Sequence, residues 1–320
     1  MTKNFWLELP KPSIVLAPMA DVTDAAFRRV IAKYGKPTVM WTEFVSADGL
    51  CHPKGREKLL IDLKYTEAER PIVAQLFTAH PGKMEEAAKL IQALGFDGLD
   101  INMGCPDRSV EKQGAGAALI KTPALAQAVI RAAKLGAPNL PISVKTRIGY
   151  NRDEMDTWIP SLLETGISAL TIHARTRKEM SKVPARWERV TAAVELRDKL
   201  APKTLIIGNG DVRDLTHARE LAKETGADGI MLGRAIFGNP FLFSDQIPNT
   251  ETKLKVLVEH TKLFEELLGE VKSFAIMKKH YKAYVRGWTG AEELRAELME
   301  TTNAGEVERV VDKYLSSMLS

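Results

Sequence analysis

Eight short runs of aliphatic and β-branched residues, spaced by longer amphipathic segments, restrict this chain to very few folds. The runs are Ile14–Ala17, Thr38–Trp41, Ile72–Leu76, Gly98–Ile101, Ile142–Lys145, Ala169–Ile172, Leu205–Gly208 and Gly229–Leu232. Between them, segments such as Lys83–Leu94, Pro123–Leu135, Trp158–Thr165 and Leu215–Thr225 carry apolar residues at helical spacing. Strands that alternate with helices in this way point to βα units and a parallel sheet. Eight units over about 240 residues match the size of an α/β (β/α)8 TIM barrel. A doubly wound open sheet competes, but no Gly-x-Gly-x-x-Gly follows the first strand. The expected architecture is a barrel over residues 1–245 and a C-terminal all-helical domain over 246–320, where the βα pattern stops.

Barrels of this kind gather functional side chains at the carboxyl ends of their strands. In order, the strand ends here offer Met19, Glu43, Gln75, Asn102 with Cys105, Lys145, His173 with Arg175, Asn209 with Asp211, and Gly233 with Arg234. Any one of these would pass as a solvated loop residue, but eight together are hard to ascribe to chance. The sharpest is Gly98-Leu99-Asp100-Ile101-Asn102-Met103-Gly104-Cys105-Pro106, a buried strand that turns through a glycine and presents a thiol. Cys105 is one of two cysteines and belongs to no disulfide framework. Read alone, it divides evenly between a small buried hydrophobe and a reactive thiol. The other strand ends move it towards the reactive reading.

The last two units look like an anion site. Gly208-Asn209-Gly210-Asp211 and Gly233-Arg234 place glycines just past two strands, where backbone N–H groups can approach a phosphate closely. A pair of tight turns would use the same glycines, and the fixed charge of Arg234 favours phosphate. Gln75 and Lys145 suit a heterocycle with carbonyl oxygens and ring nitrogens, as a flavin has, although a lysine there could equally form a Schiff base. The chain carries a net charge of +4, which permits a polyanionic partner without requiring one. No apolar run reaches the ~20 residues of a membrane helix. The opening residues lack the pattern of a secretory leader, so two cysteines fit a reducing, cytoplasmic setting. Nothing in the sequence calls for a metal or an obligate protein partner.

An ordered set of motifs resembles the tRNA-dihydrouridine synthase family. They are Ala17-Pro18-Met19-Ala20-Asp21-Val22-Thr23-Asp24 with Phe27-Arg28, Thr42-Glu43-Phe44-Val45-Ser46-Ala47, Ala74-Gln75-Leu76, and Asn102-Met103-Gly104-Cys105-Pro106. Val144-Lys145-Thr146-Arg147 with Gly149, His173-Ala174-Arg175-Thr176-Arg177, Asn209-Gly210-Asp211 and Gly233-Arg234 follow in the family's order. The resemblance runs from Ile14 to Leu242 and continues into a helical tail. It implies FMN at the mouth of the barrel, with NADPH as reductant of specific tRNA uridines. Pro18, Met19 and Ala20 would flank the isoalloxazine. Gln75, Lys145 and His173 would meet the ring or ribityl chain, and Asn209, Gly210, Asp211, Gly233 and Arg234 would hold the phosphate end. A hydride would pass from NADPH through FMN to C6 of the uracil, and Cys105 would protonate C5. Asn102, Arg175 and Arg177 would face the substrate.

A base inside folded RNA has to be everted to reach such a site, which requires a grip outside the barrel. Val271–Trp288 contains Lys272, Lys278, Lys279, Lys282 and Arg286 with no acidic residue, interleaved with Phe274, His280, Tyr281, Tyr284 and Trp288. Basic residues among aromatics suit phosphate contact with stacking, and the family's helical RNA-binding domain falls here. A solvated amphipathic helix whose aromatics pack inside the tail is the plainer alternative. One loop departs from the family: Lys178-Glu179-Met180-Ser181-Lys182-Val183-Pro184 replaces its usual glutamine, aromatic and glycine before Ala185-Arg186-Trp187. That loop is expected over the substrate mouth. Two rivals keep the barrel: a flavin oxidoreductase acting on rRNA or on a small pyrimidine or ene substrate, and a non-catalytic RNA-binding protein.

Overall fold

The computed structural model describes residues 4–244 and 246–318. Asp245, at the expected barrel boundary, and Met1–Lys3, among the opening residues, lie outside the described residues. All eight expected strands form: β1 Ser13–Leu16, β2 Met40–Ser46, β3 Ile72–Phe77, β4 Gly98–Met103, β5 Ile142–Arg147, β6 Ala169–His173, β7 Leu205–Asn209 and β8 Gly229–Leu232. They pair in parallel in the order β1-β8-β7-β6-β5-β4-β3-β2. The ring closes between its two ends, where the Thr38 N–H donates to the Ile14 carbonyl at 2.9 Å. The chain is therefore a (β/α)8 barrel with helices following it.

The strand limits differ from expectation in a way that matters for the site. β2 starts two residues late and runs on to Ser46, with a register slip against β3 between Trp41 and Phe44. Glu43 consequently lies inside a strand and not past its end. β4 and β5 also run further, because Asn102 pairs with Lys145 and Met103 with Thr146.

The helices that wrap the barrel are α1 Ala25–Tyr34, α2 Ala47–Leu50, α3 Pro53–Leu59, α4 Pro81–Ala93, α5 Arg108–Glu111, α6 Pro123–Gly136, α7 Met155–Leu163, α8 Trp187–Leu200 and α9 Leu215–Thr225. Beyond β8 come α10 Thr250–Leu268, α11 Met277–Tyr284, α12 Ala291–Glu300 and α13 Ala304–Met318. Their caps are local: Asp24 and Asp214 accept from Phe27 and His217 N–H, and Asn249 from Thr252 N–H.

Successive strand residues face opposite ways, so each strand feeds two cores. Ile14, Leu16, Leu170, Ile172, Ile206, Ile230 and Leu232 face the helices. Val15, Ala17, Trp41, Val73, Ala169, Leu205, Ile207 and Met231 face inward and form the apolar floor of the barrel. Trp6, in the turn Phe5–Glu8, plugs that floor from below, 1% exposed and 5.8 Å from Trp41. Continuing the inward positions upward gives Gln75, Asn102, Lys145, Arg147, His173 and Asn209, and polarity rises towards the open end.

α10 packs against α1 through rings. Phe27 stacks on His260 at 4.8 Å and meets His280 edge-on at 5.0 Å. Both histidines are fully buried and held neutral, His280 being pushed down to about 3 by burial.

Candidate active site

The open end of the barrel holds a cavity of about 640 Å³, within the range of small-ligand sites. Pro18, Met19, Lys145, His173, Asn209, Gly210, Asp211, Gly233 and Arg234, all expected around a cofactor, line it. Ala20 is exposed beside this wall, and Gln75 is fully buried beneath the mouth.

Gln75 belongs to a relay that fixes the thiol loop. Its Nε2 donates to Asp100 at 2.6 Å, and its Oε1 accepts from Asn102 Nδ2 at 3.0 Å. Asn102 Oδ1 accepts from the N–H of Cys105 at 2.9 Å and of Gly104 at 3.1 Å. Asn102, expected to face substrate, holds the Cys105 loop and Gln75 with its side chain. Burial pushes the Asp100 carboxyl up to about 6, opposed by bonds from Ser143 and Gln75. A side chain at Gly104 would lie 3.1 Å from the Thr146 backbone, so the loop passes there without a Cβ. The Cys105 carbonyl accepts from Ala117 N–H at 2.9 Å. Cys105 itself is half-buried, and burial raises its thiol above the ordinary range, with Lys145 and Arg147 opposing.

The cavity wall is strongly cationic. Burial and the neighbouring Arg147 hold the Lys145 ammonium down to about 8, and burial brings the Arg147 guanidinium down to about 10. His173 stays neutral, for burial and the charges of Arg147, Lys145, Arg175 and Arg234 all act against its protonation. Arg175 Nη1 lies 3.1 Å from His173 Nε2, which makes that nitrogen the acceptor and leaves the proton on Nδ1. Asn209 receives Lys145 Nζ at 3.4 Å and donates to the Met231 carbonyl at 2.8 Å.

Asp211 departs from the expected picture, since its carboxylate would repel a phosphate. It binds Arg175, Arg234 at 2.8 Å and the Ala185 N–H at 3.0 Å, and so organises the arginines. Among the described residues, the backbone N–H groups of Gly210, Asp211, Gly233, Arg234 and Ala235 donate to no other backbone or side chain. Gly210 has φ +135, and a Cβ there would come within 2.7 Å of Ala185, so only glycine fits.

Arg175 and Arg177, expected to face the substrate, both have partners within the protein. Arg175 is 2% exposed on the cavity wall and donates to the Val183 carbonyl at 2.6 Å. Arg177 pairs with Glu111 and lies over the Tyr150 ring.

The unusual loop is firmly braced. Glu179 accepts from Thr176 N–H at 2.8 Å and from Arg186 at 2.6 Å, and Met180 and Ser181 reach the cavity itself. Sequence reasoning gave Arg147 no role, yet it ties this loop to the thiol loop. It donates to the carbonyls of Gly104 at 2.8 Å, Thr176 at 3.2 Å and Met180 at 3.1 Å. The available signal was its position two residues beyond Lys145 on one strand, which puts both side chains on the inner face.

The helical tail corrects one expectation. His280, Tyr281 and Tyr284 are buried, and Phe274 and Trp288 pack against the core, so the buried rings cannot stack on bases. Lys272 is engaged in ion pairs with Glu43 and Asp62. Lys278 and Lys279 are partly exposed and Lys282 and Arg286 exposed, and none pairs with a described carboxylate. No described helix is long and apolar enough to cross a membrane, and no described group of three or more metal-ligating side chains occurs.

The family described as Dihydrouridine synthase (Dus) matches residues 15–319. The chain is 42% identical over 322 residues to the "Probable tRNA-dihydrouridine synthase" of Staphylococcus aureus (strain COL), across 99% of this chain and 98% of that one. To the "Probable tRNA-dihydrouridine synthase 2" of Bacillus subtilis (strain 168) it is 44% identical over 318 residues, covering 98% and 97%. Among solved structures, morphinone reductase in complex with tetrahydroNAD superposes with a TM-score of 0.51 at 13% identity, over 77% of this chain and 90% of that chain. Histamine dehydrogenase from Rhizobium sp. 4-9 gives 0.52 at 13%, over 78% and 49%. These two likenesses speak for the fold alone.

Proposed function

As this chain belongs to the dihydrouridine synthase family, we propose that it is a tRNA-dihydrouridine synthase that uses FMN and NADPH to saturate the C5–C6 bond of tRNA uridines. The carrying observation is a cationic cavity, with free backbone N–H groups at one end and an oriented thiol loop beside it.

FMN fits these residues. The N–H groups of Gly210, Asp211, Gly233 and Arg234 would take its phosphate, with Arg234 supplying a second cation once it leaves Asp211. Lys145 and His173 would face the polar edge of the ring, and Pro18 and Met19 its face. When bound, FMN supplies hydride transfer from NADPH to the uracil. Cys105 then provides the proton at C5, as an acid kept in its thiol form by burial. Lys145 and Arg147 lie near enough for their charges to favour negative charge at the thiol, against the effect of burial, and would stabilise the enolate that builds on O4. Asn102 and Gln75 keep the thiol loop in place throughout. Residues 246–320 would grip the tRNA, with Lys278, Lys279, Lys282 and Arg286 meeting backbone phosphates.

Loading the protein with FMN and NADPH under anaerobic conditions, then offering unmodified tRNA, rRNA or free uridine, tests the reading. Unmodified tRNA is expected to reoxidise the flavin fastest and to acquire dihydrouridine. Failure to take up FMN, or reoxidation by free uridine alone, overturns the proposal.

A second measurement isolates the phosphate end. Arg234→Ala is expected to weaken FMN binding about tenfold, the worth of one charge-assisted hydrogen bond. Riboflavin, which lacks the phosphate, should bind variant and wild type alike in the same fluorescence titration.

A further inference from the structure

The wall of the cavity formed by Pro18 and Met19 is held from outside the barrel. Lys272, in the connection after α10, places its Nζ 2.7 Å from Glu43 Oε2 and 2.7 Å from Asp62 Oδ1. The Lys272 and Glu43 side chains are 13% and 6% exposed, so the pair is shielded from solvent screening. The other oxygen of Glu43, Oε1, accepts the backbone N–H of Asp21. Asp21 has φ +52, a backbone state that a non-glycine residue holds only where its surroundings fix it.

That hydrogen bond anchors a compact turn. Met19 N–H donates to Thr23 Oγ1 at 2.9 Å, and the Met19 carbonyl accepts from Val22 at 3.1 Å and Thr23 at 3.0 Å. Pro18 and Met19 are therefore displaced together if Asp21 loses its acceptor. Asp24, buried at the start of α1, also feels both Glu43 and Lys272. Removing the ammonium would leave Glu43, Asp62 and Asp24 crowded without it. Glu43 would then draw towards water and away from Asp21.

We infer that Lys272 is a positioning residue for the cofactor: acting through Glu43 and the Asp21 N–H, it sets the Pro18–Met19 wall from the helical region. The inference rests on the flavin reading of the cavity. It makes the helical region part of the cofactor site as well as a candidate RNA grip. It also gives a role to the glutamate inside β2 where the register slips, since from there one carboxylate reaches both partners.

The test is FMN affinity of the full-length protein, read by fluorescence titration together with the visible spectrum of bound flavin. Lys272→Met is expected to weaken FMN about tenfold and shift the spectrum, and Lys272→Arg to restore both to within about threefold. Asp62→Asn removes the other partner of Lys272 without touching the turn, and should leave affinity and spectrum as in wild type. Equal affinity and spectrum for Lys272→Met and wild type overturn the inference while leaving the flavin reading intact. So does equal loss in Lys272→Met and Asp62→Asn, which marks general loosening. Should Lys272→Met fail to fold, Glu43→Ala against Asp62→Ala carries the same comparison: weaker FMN only in Glu43→Ala supports the inference, and equal affinities overturn it. A wild-type protein that takes up no FMN overturns both readings.

Discussion

Cys105→Ala is expected to lower uridine reduction by about 10²–10⁴-fold, the usual worth of a positioned general acid, while FMN binding and NADPH oxidation continue. The separation follows from geometry. Cys105 lies on the β4 loop, outside the ring of residues lining the cavity, and its backbone is fixed by Asn102 and Ala117 whatever its side chain. Truncation thus removes the proton without moving the cavity. The pH profile carries the sign. Burial raises the thiol, so its acid form persists through neutral pH and is lost only as pH climbs past its raised pKa. Single-turnover oxidation of pre-reduced enzyme by tRNA should therefore stay level through neutrality and fall on the alkaline side. Wild-type rates in Cys105→Ala would remove the thiol from the mechanism.

Lys145→Met should move stability and binding in opposite directions. Burial and Arg147 lower the Lys145 pKa from 10.5 to about 8, which means that the folded apoprotein disfavours its charge. A folded pKa below the unfolded one gives a destabilisation that is complete below about pH 8 and fades as pH rises towards 10.5. At neutral pH it amounts to about 2–3 kcal/mol, allowing for partial solvent contact. Lys145→Met, with nearly the same length and no charge, should stabilise the apoprotein by that order in urea unfolding, with the gain shrinking above pH 8. It should weaken FMN about 10–100-fold, the worth of a charged hydrogen bond at the ring. An apoprotein no more stable than wild type at pH 7 would show that the charge is not strained. Such opposition of stability and function marks a site held ready for a ligand.

How far the sequence disclosed all this depends on the range of the interactions. Strand positions and the polar ends were legible because β-structure has a period of two and a barrel gives all eight strand ends one destination. The roles of those ends were less so. Asp211 reads as a phosphate contact, but it binds two arginines from other strand ends, Arg175 and Arg234, a pairing that exists only once β6, β7 and β8 stand side by side. The bonds of Asn102 to the thiol loop and Gln75 escaped the sequence for a similar reason, since β4 runs past it. In α11 the missed signal was present. Met277, His280, Tyr281 and Tyr284 recur at i, i+3, i+4 and i+7, the spacing of a buried stripe, which leaves Lys278, Lys279 and Lys282 on the outer faces. The partners of Lys272 are 229 and 210 residues away in the chain, and nothing local announces them.

The plug formed by Trp6 closes the barrel at its lower end with apolar rings. With Trp6, Trp41 and the ring above them packed together, the floor is apolar and the cavity lies at the opposite end. On the proposed reading, reductant and nucleotide would both approach through that upper opening. Sharing it would make them competitors, so an excess of either is expected to slow turnover with the other, as steady-state kinetics would read. In that sense a tryptophan at the bottom of the barrel, remote from any chemistry, would bear on the traffic at the top.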